Sequence, residues 1–135
     1  MRSIAIINQK GGVGKTTTAV NLSAALSEFG RRVCLIHLDP QAHASLHLGV
    51  ALSEDQQSIY QVLTGDTRLS EVRQQIDDNL WLVPSHLDLA AAEMELAGEV
   101  GREVILRDKL VLDDAGFDYL IIDCPPSLSV LTLNA

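Results

Sequence analysis

The sequence is poor in aromatic side chains, which make up only 4% of its 135 residues. Apolar residues nevertheless reach 47%, which is enough to bury a core. That core must therefore be built from aliphatic side chains. The length is that of one ordinary domain, so we expect residues 1–135 to form part of a single folded unit.

Positive charge is also scarce. Ten lysine and arginine residues stand against eighteen aspartate and glutamate residues, which gives a net charge of −8. An acidic surface repels phosphate backbones, so the bulk composition argues against nucleic-acid binding by this segment alone. Any anion site must come from a few locally placed groups.

Long apolar runs are absent from the start of the chain. The opening MRSIAIINQK has four consecutive apolar residues before Asn8, which is too short for a signal peptide or a membrane span. We therefore expect a cytoplasmic protein with no membrane partner.

Cysteine is limited to Cys34 and Cys124, and neither belongs to a C-x-x-C pair. Both lie in apolar, strand-like runs. The favoured interpretation is a pair of free, buried thiols in a reducing cytoplasm, while a disulfide or a metal role remains the alternative.

Strand-like and helix-like patterns alternate along the chain. Apolar runs predict strands at 3–7, 32–39, 79–85 and 117–127. Helical spacing predicts helices at 16–29, 53–65, 69–76 and 87–116, with Gly30 ending the first, Ser53 capping the second, and Gly98 and Gly101 interrupting the last. This alternation predicts an α/β fold with a mostly parallel sheet. Four strands are few for such a sheet, so we expect the domain to be incomplete at its C-terminal end.

The stretch NQKGGVGKTTT at 8–18 nearly matches the phosphate-binding pattern G-x-x-x-x-G-K-[ST]. Gly14, Lys15 and Thr16 complete its end, but Gln9 stands where the first glycine should be. A strand precedes this glycine-rich turn and a helix follows it, which is the arrangement that phosphate binding requires. A turn that only links the two elements has no need of Gly-Lys-Thr-Thr.

Each residue type in this loop has a role in nucleotide binding. Glycines allow backbone N–H groups to point inward, and the helix N-terminus adds partial positive charge. Lys15 would reach the β- and γ-phosphates, Thr16 would ligate Mg²⁺, and Thr17 would bond the α-phosphate. The predicted ATP-binding residues are Gly11, Gly12, Val13, Gly14, Lys15, Thr16 and Thr17.

Lys10 is a second lysine beside the mismatch. One interpretation is a solvated loop lysine. The other is a catalytic cation that stabilises the charge developing during phosphoryl transfer, either on its own nucleotide or across a dimer interface.

Two acidic residues end predicted strands. Asp39 ends the predicted strand within LIHLDPQ, where it could orient the attacking water or hold a magnesium-bound water. The alternative is a simple turn aspartate before proline. Asp123 follows YLII, where a rigid carboxylate could hold Mg²⁺ through water.

KGGVGKTT resembles the deviant Walker A motif of the ParA/Soj partitioning ATPases, within the wider MinD and nitrogenase-iron-protein superfamily. LDPQ and YLIIDCPPS are similar to this family's next two motifs, so the resemblance covers essentially the whole chain. It implies an α/β P-loop NTPase with helices on both faces of the sheet, using ATP and Mg²⁺. It also implies that Lys10 contacts the partner's nucleotide in an ATP-bound homodimer and that Asp39 serves hydrolysis.

The resemblance further implies a role in chromosome or plasmid partitioning. The partners would be a ParB-type protein and non-specific DNA, the latter bound by a C-terminal part beyond Ala135, which suggests a nucleoid-associated protein. Two alternatives remain open: a MinD-like positioning ATPase, and a truncated or inactive module that binds nucleotide without turnover.

The chain departs from the family pattern around Asp39. His37 replaces the first aspartate of D-x-D-P-Q, and the following G-N-A-T reads Ala42, His43, Ala44 and Ser45 here. The changes bring His37, His43 and His47 close in sequence; a metal pair at His43 and His47 is a weaker alternative to surface histidines. These departures from the family pattern could change the hydrogen bonds around Mg²⁺ and therefore the rate of hydrolysis.

Overall fold

The computed structural model describes residues 1–7, 14–40, 49, 56–113, 115–127 and 129–135. The described strands are β1 (Arg2–Ile6), β2 (Val33–His37), β3 (Gln74–Asp77), β4 (Leu80–Val83) and β5 (Tyr119–Asp123). The described helices are α1 (Lys15–Glu28), α2 (Ile59–Thr64), α3 (Leu69–Val72), α4 (Leu89–Leu96), α5 (Ile105–Val111) and α6 (Val130–Asn134), with a short 3₁₀ helix at Arg102–Val104 before α5.

The strands form one sheet in the order β1-β5-β2-β4-β3. All neighbours are parallel except β3 and β4, which run antiparallel. Strand β5 therefore lies between β1 and β2, although it is last in the chain. This confirms the predicted mostly parallel α/β fold and brings the ends of β2 and β5 side by side.

Strand residues alternate between two apolar clusters, one on each face of the sheet. Helix α1 covers one face, where its Ala19 and Val20 pack against strand residues that include Leu35 and Ile121. The other helices supply the second cluster, which contains Ile36 and the neighbouring strand residues of the opposite face. Helices thus lie on both faces, and aliphatic side chains dominate both clusters.

A small aromatic cluster lies near the N-terminal ends of the parallel strands. The rings of Trp81 and Phe117 meet edge to face, with their centroids 5.3 Å apart. The Arg32 guanidinium lies 5.1 Å from the centre of Trp81, and that of Arg73 lies 4.9 Å from Phe117. Arg73 also pairs with Asp113 at 2.6 Å. Aromatic ring faces attract cations, so the two arginines stabilise the packing of the rings at this end of the sheet.

The predicted helix at 69–76 is only half right. Helix α3 ends at Val72, and Gln74–Asp77 forms edge strand β3 against β4. Backbone pairing with a neighbouring strand has overridden the local helical pattern.

The helix predicted at 53–65 begins later, at Ile59. Its cap is Ser58, whose hydroxyl accepts from the N–H of Tyr60 while Gln61 reaches back to the Ser58 N–H. The proposed cap Ser53 lies outside the described residues. The breaks predicted at Gly98 and Gly101 are confirmed, because α4 ends at Leu96 and the next helical turn starts at Arg102.

Helix α1 ends where predicted. Gly30 adopts a left-handed conformation with φ of 78°, and its N–H bonds the Ser27 carbonyl. Among the described residues, no helix combines the length and apolar character needed to cross a bilayer.

Candidate nucleotide-binding site

Three chain segments meet at the carboxyl edge of the sheet: the start of α1, the end of β2 and the end of β5. Gly14 precedes α1 in a left-handed conformation, with φ of 81°. A side chain at this position would be strained, which explains a glycine there. Lys15 and Thr16 are then the first two residues of the helix. Their side chains lie at its N-terminus, where backbone N–H groups favour anions.

Asp123 is the centre of the site. Its carboxylate is fully buried, and its Oδ1 lies 2.9 Å from Lys15 Nζ. Its Oδ2 accepts a hydrogen bond of 2.9 Å from the Thr16 hydroxyl. The Asp123 carbonyl accepts from the Leu38 N–H, so strand pairing fixes its backbone. A buried carboxylate is retained only with such partners.

Asp39 is the second acidic residue near the same lysine. Its Oδ2 is 3.5 Å from Lys15 Nζ, and the residue is 7% exposed. The hydroxyl of Ser85, which follows β4, donates to the Asp39 carbonyl at 2.7 Å. Strand β4 therefore anchors the backbone of this acid. No local sequence pattern indicates Ser85, because its contact with Asp39 depends on the order of the strands.

His37 is the last residue of β2, and in the sheet register it stands opposite Asp123. Its Nε2 lies 3.3 Å from Asp123 Oδ2, and both side chains are fully buried. From the sequence alone, His37 is only a departure from a family pattern. The structure places it against the central carboxylate of the site.

The structure brings four predicted residues together: Lys15, Thr16, Asp39 and Asp123. Thr17, also in the first turn of α1, is exposed. Lys10, Gly11, Gly12 and Val13 lie outside the described residues, as do His43 and His47. Their proposed roles, including the metal pair, therefore stay predictions.

Both cysteines are free and buried. Burial raises the pKa of the Cys34 thiol to about 12. Burial and the adjacent negative charge of Asp123 raise the pKa of Cys124 to about 12. Thiols with raised pKa values stay protonated at neutral pH, which argues against a nucleophilic role. The prediction of free buried thiols is confirmed.

The donor set suits a phosphate-bound Mg²⁺ ion. One lysine, one hydroxyl and two carboxylates converge within a few ångströms, and Mg²⁺ prefers oxygen ligands. Within the described ranges, no group of three or more His, Cys, Asp or Glu side chains forms a metal-holding cluster. The residues therefore fit an ion that takes most of its ligands from phosphates and water, as Mg²⁺ commonly does in nucleotide sites.

The family model AAA_31, described as an AAA domain, matches residues 1–135. Among curated proteins, the chain is 46% identical to the sporulation initiation inhibitor protein Soj of Bacillus subtilis, covering 98% of this chain and 53% of Soj. It is 47% identical to the chromosome partitioning protein ParA of Myxococcus xanthus, covering 99% of this chain and 48% of that protein. The chain thus spans about half the length of these curated relatives.

Among solved structures, the fold is similar to that of cobyrinic acid a,c-diamide synthase from Mycobacterium smegmatis with bound ATP analog and magnesium. The TM-score is 0.94 at 47% identity, covering 99% of this chain and 55% of the other. The phosphate-loop helix, the two strand-end acids and the full-length family match agree with one another. The chain belongs to the AAA_31 family and, within it, to the ParA/Soj-type P-loop ATPases.

Proposed function

We propose that the protein binds Mg-ATP at the start of α1 and hydrolyses its β–γ phosphoanhydride bond with water. The observation that carries this proposal is the convergence of Lys15, Thr16 and Asp123 at the N-terminus of a 14-residue helix. A cation, a hydroxyl and a buried carboxylate at such an end are the groups that phosphate and Mg²⁺ need. The solved relative with a bound ATP analog and magnesium supports the same ligands.

The proposed role of each site residue follows from the chemistry of its side chain. Lys15 would bind the β- and γ-phosphates, and Thr17, exposed in the first turn of α1, would bond the α-phosphate. Thr16 would supply a hydroxyl ligand to Mg²⁺, and Asp123 would hold the ion through water. When bound, Mg²⁺ would neutralise charge on the phosphate oxygens. Backbone N–H groups of Gly11, Gly12, Val13 and Gly14 would complete the phosphate cradle.

Asp39 is proposed to position the attacking water, with a second contact to the water shell of the ion. Asp39 is buried, and its carbonyl accepts a hydrogen bond from the Ser85 hydroxyl. This bond fixes the backbone that carries the carboxylate. A general base must lie within reach of the reacting water, and fixed placement is what makes it effective.

Nucleotide binding is the direct test of this function. The purified protein should bind a fluorescent ATP analogue in the presence of Mg²⁺ and release phosphate from ATP. Chelating the cation with EDTA should stop phosphate release, because the developing charge then lacks its main counterion. Absence of nucleotide binding at millimolar concentrations would refute the proposal, whereas binding without turnover would favour a non-hydrolysing module.

Dimerisation is the next part of the proposal. We expect ATP to bring two copies face to face, with Lys10 of each copy contacting the nucleotide of the other. Supporting this are the Lys10 position in the KGGVGKTT motif and the family membership of the chain. The dimer would act in chromosome partitioning, the process named for the ParA relative. A plasmid role, a ParB-type partner and non-specific DNA complete the proposal, and these rest on the resemblance of the sequence motifs.

Lys10→Ala is expected to abolish ATP-dependent dimerisation while leaving most nucleotide binding intact. The reason is that Lys15, not Lys10, serves the chain's own phosphates, whereas the partner's charge would lose its counterion. Light scattering with and without ATP measures the dimer. Lys109→Ala is the matched control, since Lys109 contacts the carbonyl oxygens of Gly65 and Thr67 in another part of the molecule. Unchanged dimerisation of the Lys10 variant would contradict the assignment.

A further inference from the structure

Three polar side chains contact the Asp123 carboxylate: Lys15, Thr16 and His37. Under the proposed function, two of these side chains also bind the nucleotide and its metal ion. Lys15 is needed by the phosphates and Thr16 by Mg²⁺, so both must share or leave the carboxylate when nucleotide binds. The bound cation would then compensate the charge of this fully buried carboxylate, but contact through water leaves the side chain less firmly oriented. A partner outside helix α1 would keep it in position.

His37 is placed to do so. Lys15 and Thr16 approach Asp123 from helix α1, whereas His37 comes from β2, the strand paired with β5. Strand register sets His37 and Asp123 side by side, with Nε2 3.3 Å from Oδ2. Nucleotide contacts at the start of α1 therefore need not disturb this pair.

The position of the contact also matters. His37 lies against Oδ2, while Oδ1 is the atom that faces Lys15. A carboxylate has lone pairs on both oxygens, so an imidazole N–H that donates to Oδ2 would leave Oδ1 available. An aspartate at position 37 would instead place two buried carboxylates side by side and repel Asp123.

We propose that His37 is a positioning residue that holds the Asp123 carboxylate in place for the divalent cation when Lys15 and Thr16 turn to the nucleotide. This inference rests on the proposed function. Partners behind a metal-binding group typically change metal affinity by about 10- to 100-fold when removed. His37 should therefore control how much Mg²⁺ the site needs, and not how well it binds nucleotide without the metal.

A matched pair of variants tests the role. In His37→Gln the amide nitrogen can take the place of Nε2, whereas His37→Met has similar length and no N–H donor. A fluorescent ATP analogue is titrated first in EDTA and then with increasing Mg²⁺. We expect His37→Met to raise the half-saturating Mg²⁺ concentration about tenfold, and His37→Gln to stay within about threefold of the unaltered protein. Binding in EDTA should be the same for all three proteins, which also verifies that each is folded.

His86→Leu is the control for losing a histidine elsewhere, since His86 lies partly exposed beside Asp88. A parallel titration with Mn²⁺, followed by the electron paramagnetic resonance of the free ion, reads cation binding directly. An unchanged or lower Mg²⁺ requirement in His37→Met would overturn the inference while leaving the proposed function standing. Equal losses in His37→Gln and His37→Met would also overturn it, because a donor would then not be what matters. Failure of the unaltered protein to bind nucleotide would overturn both.

Discussion

Lys15→Ala is expected to lower the affinity for Mg-ATP about a thousandfold, or roughly 4 kcal/mol. The lysine is nearly buried, with 8% of its side chain exposed, so its charge acts in a site with little water. Charge-assisted contacts to phosphate are strong, and one cation here serves two phosphates. Equilibrium titration with a fluorescent ATP analogue measures the loss.

The same substitution removes the cation beside the buried Asp123, so we also expect a lower thermal midpoint without nucleotide. Circular dichroism at the assay temperature must therefore verify that the variant is folded. Lys109→Ala again serves as the matched lysine control and should bind nucleotide normally. Retention of nucleotide affinity within tenfold in folded Lys15→Ala protein would show that α1 does not form the phosphate site.

Asp39→Ala should reduce phosphate release by about a hundred- to a thousandfold while nucleotide affinity changes little. The carboxylate is 3.5 Å from Lys15 and nearly buried, yet it is a weaker partner of that lysine than Asp123 at 2.9 Å. Removing it therefore leaves the lysine held and the phosphate site formed. The ATP-bound state should accumulate, and single-turnover phosphate release measures the rate.

Asp39→Asn separates charge from shape in this experiment. It keeps the size of the side chain and one acceptor oxygen, but replaces the other oxygen with an NH₂ donor and removes the charge. A loss equal to that of Asp39→Ala would therefore assign the effect to the carboxylate and not to side-chain volume. Asp108→Ala, which removes an exposed acid of α5, should leave turnover unchanged. Normal phosphate release by Asp39→Ala would reject the proposed role and leave Asp39 as a turn residue of the β2 end.

The parallel part of the sheet could be predicted from sequence because its strands are continuous apolar runs. Strands β2 and β5 are buried on both faces, and each carries an unbroken apolar run before its final polar residue, 33–36 in β2 and 120–122 in β5. Edge strand β3 could not be predicted in this way. Its sequence, Gln74–Asp77, is polar and half exposed, so its strand character comes from pairing with β4 and not from its composition.

In the site, too, local motifs could be predicted from the sequence, whereas contacts that depend on the strand order could not. Lys15, Thr16, Asp39 and Asp123 were each predictable because each stands at the end of a recognisable element. The contact between His37 and Asp123 depends on β5 inserting beside β2, which is a property of the strand order. Once that order is known, counting register pairs from either strand identifies the histidine.

The aromatic cluster at the N-terminal ends of the strands gives the protein a built-in optical reporter. Trp81 is its single tryptophan, and the ring contacts both Arg32 and Phe117 at the end of the sheet away from Asp39 and Asp123. Unfolding would expose the indole to water and shift its emission to longer wavelengths. Nucleotide binding at the opposite end would leave its surroundings unchanged, so tryptophan fluorescence should follow the integrity of the sheet independently of ligand occupancy.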